Sequence, residues 1–299
     1  MTELTTLLTG LTFAEGPRWH NRKLWFSDFY AHEVITVDEE GKRTTIVKVP
    51  EQPSGLGWTP DNKLLIVSMR DQKLLRLEDD GLVEHADLSK FANYWCNDCV
   101  VDSEGGAYVG NFGFNRHANE QPRGTTLVYV SPSGQTSIAA DDLWFPNGTV
   151  ITPDNKTLII AETRGKRLTA FDIGQNGKLS GRRVFAETKT MYPDGICLDK
   201  EGGVWVADPQ NKEVIRVKEG GDVTNRIPLI DRGAYACMLG GDDRRTLFIC
   251  TNTGSGPEIA ANRSGRIETM RVDVPGVGLP CCLLYTSPSP RDLSTSRMP

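Results

Sequence analysis

The sequence predicts an all-β protein, and two observations carry that prediction. Short runs of β-branched and aromatic residues recur along the 299-residue chain, each bounded by Gly, Pro, Asn or Asp. No stretch of a dozen residues repeats apolar positions at the spacing of a helix, because Gly or Pro interrupts most windows of that length. Helices are therefore expected to contribute almost nothing to the fold.

The predicted strands come in pairs. The first members are Lys23–Ser27, Lys63–Ser68, Thr157–Ala161, Val204–Ala207 and Thr246–Cys250. The first four are followed by Glu33–Val37, Lys73–Leu77, Arg167–Phe171 and Glu213–Val217, and a further second member, Thr126–Val130, follows the strand Ala107–Gly110. Each pair extends a short run that begins with a recognisable three-residue motif.

That motif recurs six times. Its occurrences are Ala14-Glu15-Gly16, Pro53-Ser54-Gly55, Cys96-Asn97-Asp98, Pro146-Asn147-Gly148, Pro193-Asp194-Gly195 and Tyr235-Ala236-Cys237, and successive third members lie 39, 43, 50, 47 and 42 residues apart. A period of roughly 40–50 residues with four short strands per unit is typical of β-propeller blades. The sequence therefore predicts a six-bladed β-propeller with four-stranded blades.

The two ends of the predicted propeller complement each other. Leu4–Leu11 reads as a lone strand before the first unit, and the last unit is one strand short after Arg266–Val272. We expect the N-terminal strand to complete the last blade, which leaves no open edge between the first and last units.

Composition excludes several classes of partner. The 34 Lys and Arg against 39 Asp and Glu give a net charge of −5, which offers no general attraction to nucleic acids or anionic membranes. No run of 18 apolar residues and no signal peptide is visible, and the seven cysteines follow no disulfide spacing. A cytoplasmic protein, monomeric or a small homo-oligomer, is expected.

The C-terminal end departs from the repeat. Residues 281–299 fit no blade and shift abruptly to Ser, Pro and Thr, so they are interpreted as a cloning scar or a disordered tail. Residues 1–280 are then expected to form a single propeller domain.

The middle residues of the six motifs should project into the central channel at one height. They are Glu15, Ser54, Asn97, Asn147, Asp194 and Ala236. Polar residues before Gly are common in turns, but unpaired carboxylates and amides crowded inside a channel would be costly without a cation. Carboxylate and amide oxygens suit Ca²⁺, Mg²⁺ or Mn²⁺. The column therefore predicts an open metal site.

The chain also resembles a known family, the senescence-marker-protein-30, gluconolactonase and luciferin-regenerating-enzyme family. The resemblance runs in order and spacing from about Leu8 to Pro280. It rests on Phe13–Trp19 with Leu24–Asp28, Pro53–Gly55, Asn97-Asp98, Phe145–Gly148, Tyr192–Ile196 and Leu239–Gly241.

The resemblance implies a six-bladed propeller that holds one divalent cation, commonly Ca²⁺ or Zn²⁺, and often hydrolyses sugar lactones. By motif position it implies that Glu15, Asn147 and Asp194 bind the metal, that Asn97 holds substrate or a water of the ion, and that Asp194 is also the general base. Ca²⁺ is the first expectation for the ion, with Zn²⁺, Mn²⁺ and Mg²⁺ as alternatives.

One position departs from the family pattern. Sugar-lactone members often carry Arg two residues before the Asn that matches Asn97, and this chain has Trp95. A less polar lactone, aromatic or alkyl, is therefore considered beside a sugar lactone. Trp95 and Asn111 are predicted to shape the substrate pocket, with ordinary blade packing as the alternative for the neighbouring Phe112.

Three functions fit this sequence. The first is a metal-dependent lactonase of the gluconolactonase type; the second is an organophosphate or ester hydrolase on the same metal site; the third is a non-catalytic propeller pinned by its cation. The one C-x-x-C motif, Cys96–Cys99, is not expected to bind zinc, because an extended strand would send its two thiols to opposite faces.

Overall fold

The fold is seen in a computed structural model that describes residues 3–278. Six antiparallel sheets of four strands each make up the molecule. Helical structure within this range is limited to 3-10 helices at Phe29–Ala31, Arg116–Ala118, Gln175–Gly177 and Pro257–Asn262. In the described range no helix has the length and apolar character needed to cross a membrane. The six-bladed propeller is confirmed; the tail at 281–299 lies outside the described residues.

The strands follow one another as the repeat predicts, after an initial strand β1 (Thr5–Leu11). Blade one contains β2 (Ala14–His20), β3 (Lys23–Asp28), β4 (Glu33–Val37) and β5 (Arg43–Lys48). Blade two contains β6 (Pro53–Trp58), β7 (Leu64–Ser68), β8 (Lys73–Glu78) and β9 (Gly81–Asp87). Blade three contains β10 (Cys96–Val101), β11 (Ala107–Asn111), β12 (Thr125–Val130) and β13 (Thr136–Leu143).

The second half of the molecule repeats this order. Blade four contains β14 (Pro146–Ile151), β15 (Thr157–Glu162), β16 (Arg167–Ile173) and β17 (Leu179–Glu187). Blade five contains β18 (Ile196–Leu198), β19 (Val204–Asp208), β20 (Glu213–Val217) and β21 (Val223–Pro228). Blade six contains β22 (Gly233–Gly240), β23 (Thr246–Asn252) and β24 (Gly265–Arg271).

The N-terminal strand closes the ring. In blade six the strand order is β1-β24-β23-β22, so the chain's first strand is the outermost strand of its last blade. The pairing is antiparallel and runs from Thr5 opposite Thr269 to Leu11 opposite Gly265. This confirms the predicted closure and ties the two ends of the propeller together.

Five of the six repeated motifs lie at or beside an irregularity in the innermost strand of their blade. Register shifts fall between Glu15 and Arg18 in β2, and the corresponding shifts occur in β6, β10, β14 and β22. In blade five the motif immediately precedes β18 instead. A β-bulge bends the strand and re-aims a side chain. The bulges therefore turn the middle residue of the motif away from the ordinary alternation of the strand.

One bulge overturns the expectation for Cys96 and Cys99. Both thiols lie in the same hydrophobic cluster between blades two and three, with Leu65, Val67 and Val109. The register slips between these two cysteines, so the extra residue restores their common face. Both are buried free thiols that serve as core residues.

Glycine at the third motif position lets the inner strands approach closely. An added Cβ on Gly148 would clash with the backbone nitrogen of Ile196 and would lie 2.7 Å from Cα of Gly195. The backbone nitrogen of Gly148 instead donates to Asp194 O at 3.2 Å, and that of Gly195 donates to Tyr235 O at 2.8 Å. Blades four and five, and blades five and six, are thus hydrogen-bonded to each other directly at the channel.

Chain residues after the last blade pack against the inner strands at the far end of the channel. The nitrogen of Val277 donates to Leu198 O at 3.2 Å, and Arg244 Nη1 donates to Val277 O at 2.9 Å. The channel above them is lined mainly by apolar residues such as Ile151 and Met238. The segment around Val277 thus covers the inner strand of blade five at this end.

The close approach at Gly148 gives a stability prediction. Gly148→Ala is expected to destabilise the protein by about 2–3 kcal/mol, because the new methyl group meets backbone atoms that cannot rotate away. This corresponds to a Tm lower by roughly 5–10 °C. Gly174→Ala in the same blade is the control, since Gly174 is exposed and a Cβ there lies 3.2 Å from Lys178 O. Equal melting temperatures for the two variants would contradict the account of the inner strands.

Candidate functional site

The open end of the channel holds a cavity of about 340 Å³. Four of the six motif side chains line it: Glu15, Asn97, Asn147 and Asp194. The other two motif residues, Ser54 and Ala236, are buried in the wall at 2% and 1% exposure. Residues from four different blades therefore meet in a single pocket, as the repeat predicts.

The two amides are held by their nitrogen ends. Asn147 Nδ2 donates to Thr163 Oγ1 at 3.1 Å, and Thr163 Oγ1 in turn donates to Pro193 O at 2.7 Å. Asn97 Nδ2 donates to the backbone oxygen of Pro146 at 3.3 Å. In both cases the carbonyl oxygen Oδ1 is the end of the amide that remains for a ligand.

The two carboxyl groups have weaker local support. Glu15 Oε2 accepts a hydrogen bond from the backbone nitrogen of Gly16 at 3.0 Å, and the carboxyl of Asp194 is hydrogen-bonded to the Asn147 side chain. Within residues 3–278 no salt bridge pairs either carboxyl with a cationic side chain. Two acids thus share one cavity without a direct counter-ion from the described chain.

Burial and mutual repulsion disfavour their charged forms. Burial raises the pKa of Glu15 well above its ordinary value of 4.5, and the neighbouring charge of Asp194 raises it further. Burial also raises the pKa of Asp194, while the guanidinium of Arg116 and the hydrogen bond from Asn147 act in the opposite direction. The cavity is therefore an environment in which an added positive charge would stabilise both carboxylates.

A buried ion pair lies below the cavity. Arg18 Nη2 is 2.7 Å from Asp98 Oδ1 and also donates to Cys99 O at 2.6 Å. Asp98 is the third member of its motif, at the position where four of the other five motifs have Gly. Because Arg18 already neutralises Asp98, this pair supplies no net charge to balance Glu15 and Asp194.

The donors suit a hard divalent cation. The cavity lining offers two carboxylates and three side-chain amides, those of Asn97, Asn147 and Gln210, but no imidazole or thiol among the described residues. Oxygen donors are what Ca²⁺, Mg²⁺ and Mn²⁺ prefer. No group of three or more His, Cys, Asp or Glu side chains in the described range could hold a metal. A cation here would depend on the amides as well as on the two acids.

A second cavity of about 300 Å³ adjoins the first. The two share Phe13, Phe29, Phe112, Arg116 and Ser255 in their walls. Aromatic and aliphatic side chains form most of the remaining lining, including Tyr30, Met69 and Trp95. We call this space the aromatic cavity and the space around Glu15 and Asp194 the carboxylate cavity.

Of the two residues predicted to shape the substrate pocket, Trp95 lines a cavity and Asn111 does not. Trp95 lines the aromatic cavity, where its ring stacks on Tyr94 with centroids 5.2 Å apart. Asn111 lines neither cavity: it is 0% exposed, its Nδ2 donates to Thr126 O at 2.8 Å, and its Oδ1 accepts from Thr125 Oγ1 at 2.7 Å. The amide of Asn111 is used to hold the end of β11, so it is not retained as a substrate contact.

Several cavity residues were missed by the sequence reasoning. Arg116 and Thr163 lie in loops beyond β11 and β15, and Tyr235 occupies the first motif position of blade six. The loop residues belong to no repeat, so periodicity gave no signal for them. Tyr235 is the first residue of its motif, where the other five motifs have Pro, Ala or Cys. This large aromatic residue was the one feature of the sequence that could have indicated a role in the cavity.

Fold and site together define a class of protein: a six-bladed propeller with an oxygen-donor cavity at one end of its channel. The protein-family sequence model described as the SMP-30/gluconolactonase/LRE-like region matches residues 13–253 of this chain. The chain belongs to this family.

Individual relatives are distant but cover nearly the whole chain. The 6-deoxy-6-sulfogluconolactonase of Pseudomonas putida is 26% identical over 277 residues, which is 89% of this chain and 93% of that protein. A pentonolactonase of Haloferax volcanii is 22% identical over 292 residues, 94% and 97% of the two chains. The solved structure of a calcium-binding protein, regucalcin, from Agrobacterium tumefaciens has a TM-score of 0.79 at 22% identity and covers 93% and 97%. The last likeness shows a shared fold.

The carboxyl pair gives a stability prediction that needs no substrate. The pKa of Glu15 is raised in the folded protein, so its contribution to stability is complete below its ordinary pKa of 4.5 and is lost as the pH rises through the raised value. Asp194, whose pKa is raised to about 8, contributes in the same direction. In chelator, the wild-type protein should therefore lose stability as the pH rises from about 5 to about 8. Glu15→Gln removes one of the two charges and is expected to melt roughly 2–5 °C above wild type at pH 8.

The control is Glu51→Gln, which neutralises an exposed acid. Its melting curve should follow wild type at both pH values. A Glu15→Gln protein with the wild-type pH slope would contradict the repulsion between Glu15 and Asp194.

Proposed function

We propose that this chain is a divalent-cation-dependent lactonase. The single observation that carries the proposal is the meeting of Glu15, Asn97, Asn147 and Asp194 in the carboxylate cavity. The relatives named as a sulfogluconolactonase and a pentonolactonase support a lactone hydrolase. The calcium-binding structural neighbour supports Ca²⁺ as the first ion to test.

Glu15, Asn147 and Asp194 are the proposed ligands of the cation. When bound there, the cation would polarise the lactone carbonyl and stabilise the negative charge that develops on its oxygen. Asn147 is buried and Glu15 and Asp194 are half-buried, which reduces the screening of that charge by bulk water. Asn97, whose amide nitrogen is anchored to Pro146 O, would direct its Oδ1 toward substrate or water.

Asp194 is the proposed general base. Ring opening needs a water to lose a proton as it attacks the carbonyl carbon, and a carboxylate in the cavity can accept it. Burial raises the pKa of Asp194 to about 8, although Arg116 and the hydrogen bond from Asn147 act against it. The positive charge of a bound cation would favour the ionised form that a base requires.

The proposed substrate is a lactone with a less polar substituent. The ring would occupy the carboxylate cavity, and the substituent would extend between Phe29, Phe112 and Trp95 in the adjoining aromatic cavity. Apolar and aromatic walls favour alkyl or aryl groups over a fully hydroxylated chain.

The proposed compartment is the cytoplasm. The five cysteines of the described region are buried free thiols, which is the state expected in a reducing environment.

The function is tested by proton release over a panel of sugar, alkyl and aryl lactones. Chelator is expected to abolish hydrolysis, and Ca²⁺, Mn²⁺, Mg²⁺ or Zn²⁺ added singly should restore it to different extents. Hydrolysis of no lactone with any ion, in a folded sample, would contradict the proposal and favour a non-catalytic propeller.

Substitution of the two acidic residues should affect different kinetic properties. Asp194→Asn removes the base and is expected to lower kcat by about 10²–10⁴ at saturating cation. Glu15→Gln should mainly raise the cation concentration needed for half-maximal activity, because it loses one charged ligand. Asp141→Asn, at an exposed position of β13, is the control for a neutralised acid. Near-wild-type kcat for Asp194→Asn would rule out its assignment as base.

A further inference from the structure

Arg116 stands where the two cavities join. It lines both of them, and its Nη2 lies 3.3 Å from Ser255 Oγ, across the opening from its own loop. The residue is exposed, so its guanidinium is available to a molecule that enters from solvent. Its charge also acts on Asp194 and Tyr235, which places it within electrostatic reach of the reaction centre.

Arg70 supplies a second guanidinium at the aromatic cavity. Its Cζ lies 5.2 Å from the centroid of the Trp95 ring, a cation–π distance. A guanidinium carries five N–H donors in a planar fork that matches the geometry of an oxyanion. Trp95 therefore positions Arg70 as a donor group in the wall of the aromatic cavity.

Neither arginine has a carboxylate partner in the described part of the chain. The buried arginines of the molecule are paired: Arg18 with Asp98 at 2.7 Å and Arg216 with Asp199 at 2.6 Å. No ion pair within 4.0 Å involves Arg70 or Arg116 among residues 3–278. The exposed Glu258 influences Tyr30 but forms no such pair with them.

The guanidinium groups of Arg70 and Arg116 both act electrostatically on the phenol of Tyr30. Both lower the pKa of Tyr30, against the larger effect of burial that raises it. Tyr30 lines the same cavity as Arg70 and Arg116. The phenol thus shares a cavity with two cations, and the other walls of that cavity are mostly apolar.

We infer that the aromatic cavity binds an anionic group of the substrate, held by Arg70 and Arg116 beside Tyr30. The inference rests on the proposed lactonase function and narrows its substrate class. The substrate is a lactone whose substituent has an apolar portion and ends in an oxyanion. Carboxylate, sulfonate and phosphate share the chemistry that guanidinium groups recognise.

The first test compares matched lactones. Pairs of equal length end in a carboxylate, sulfonate or phosphate, or in the neutral amide or alcohol. The wild-type enzyme is expected to have a kcat/KM about 10–100-fold higher for the anionic member of the best pair. Arg70→Gln and Arg116→Gln should each reduce this anionic-to-neutral ratio by about 10-fold, while Arg226→Gln, on the outer strand β21, should leave it unchanged.

Two results would overturn the inference while leaving lactone hydrolysis intact. One is equal kcat/KM for the charged and neutral members of every pair. The other is a loss in the arginine variants that is the same for both members, because the ratio would then not depend on charge recognition.

A binding measurement separates this inference from the proposed function. Calorimetric titration of the wild-type protein with benzenesulfonate is expected to show binding about 10-fold tighter than with the neutral methyl phenyl sulfone. Arg70→Gln should remove the difference, and 0.5 M salt should reduce it, since screening weakens exposed charge interactions. Equal affinity for the two probes would contradict the anion site whether or not any lactone is hydrolysed.

Discussion

The structure depends on the close approach of six inner strands around one narrow channel. At Gly148 and Gly195 that approach leaves no room for a side chain, and direct backbone hydrogen bonds replace the packing that larger residues would provide. In blades one, three and four a bulge beside the motif turns one polar residue, Glu15, Asn97 or Asn147, toward the open end. Residues from four blades meet there because the strands that carry them cannot move apart independently.

The same confinement has an electrostatic consequence. Glu15 and Asp194 come together in a desolvated cavity, where each disfavours the charge of the other. The nearest buried cation, Arg18, is already committed to Asp98. Because the fold holds the two carboxyl groups together, an added positive charge would change both the stability of the protein and the chemistry of the site. The repulsion between Glu15 and Asp194 therefore links the fold to the proposed function.

The sequence allowed the propeller, its closure by the N-terminal strand and the four polar residues of the carboxylate cavity to be predicted, because all of these follow from a repeat. Features outside the repeat were harder. The prediction that Cys96 and Cys99 lie on opposite faces of their strand was wrong, because simple alternation along a strand does not reveal a bulge. Asn111 was expected in the pocket, but its amide bonds to neighbouring strands. Arg116 begins a short 3-10 helix in the connection after β11, outside the repeat, where sequence spacing does not determine what a side chain faces.

The most direct test of the account is the position of a bound cation. Crystals of the protein grown with Mn²⁺ can be measured near the manganese absorption edge to give an anomalous difference map. The account predicts one strong peak in the carboxylate cavity, with oxygens of Glu15, Asn147 and Asp194 on the order of 2 Å away. A saturated protein whose peak lies elsewhere, or contacts only one of these three side chains, would contradict it.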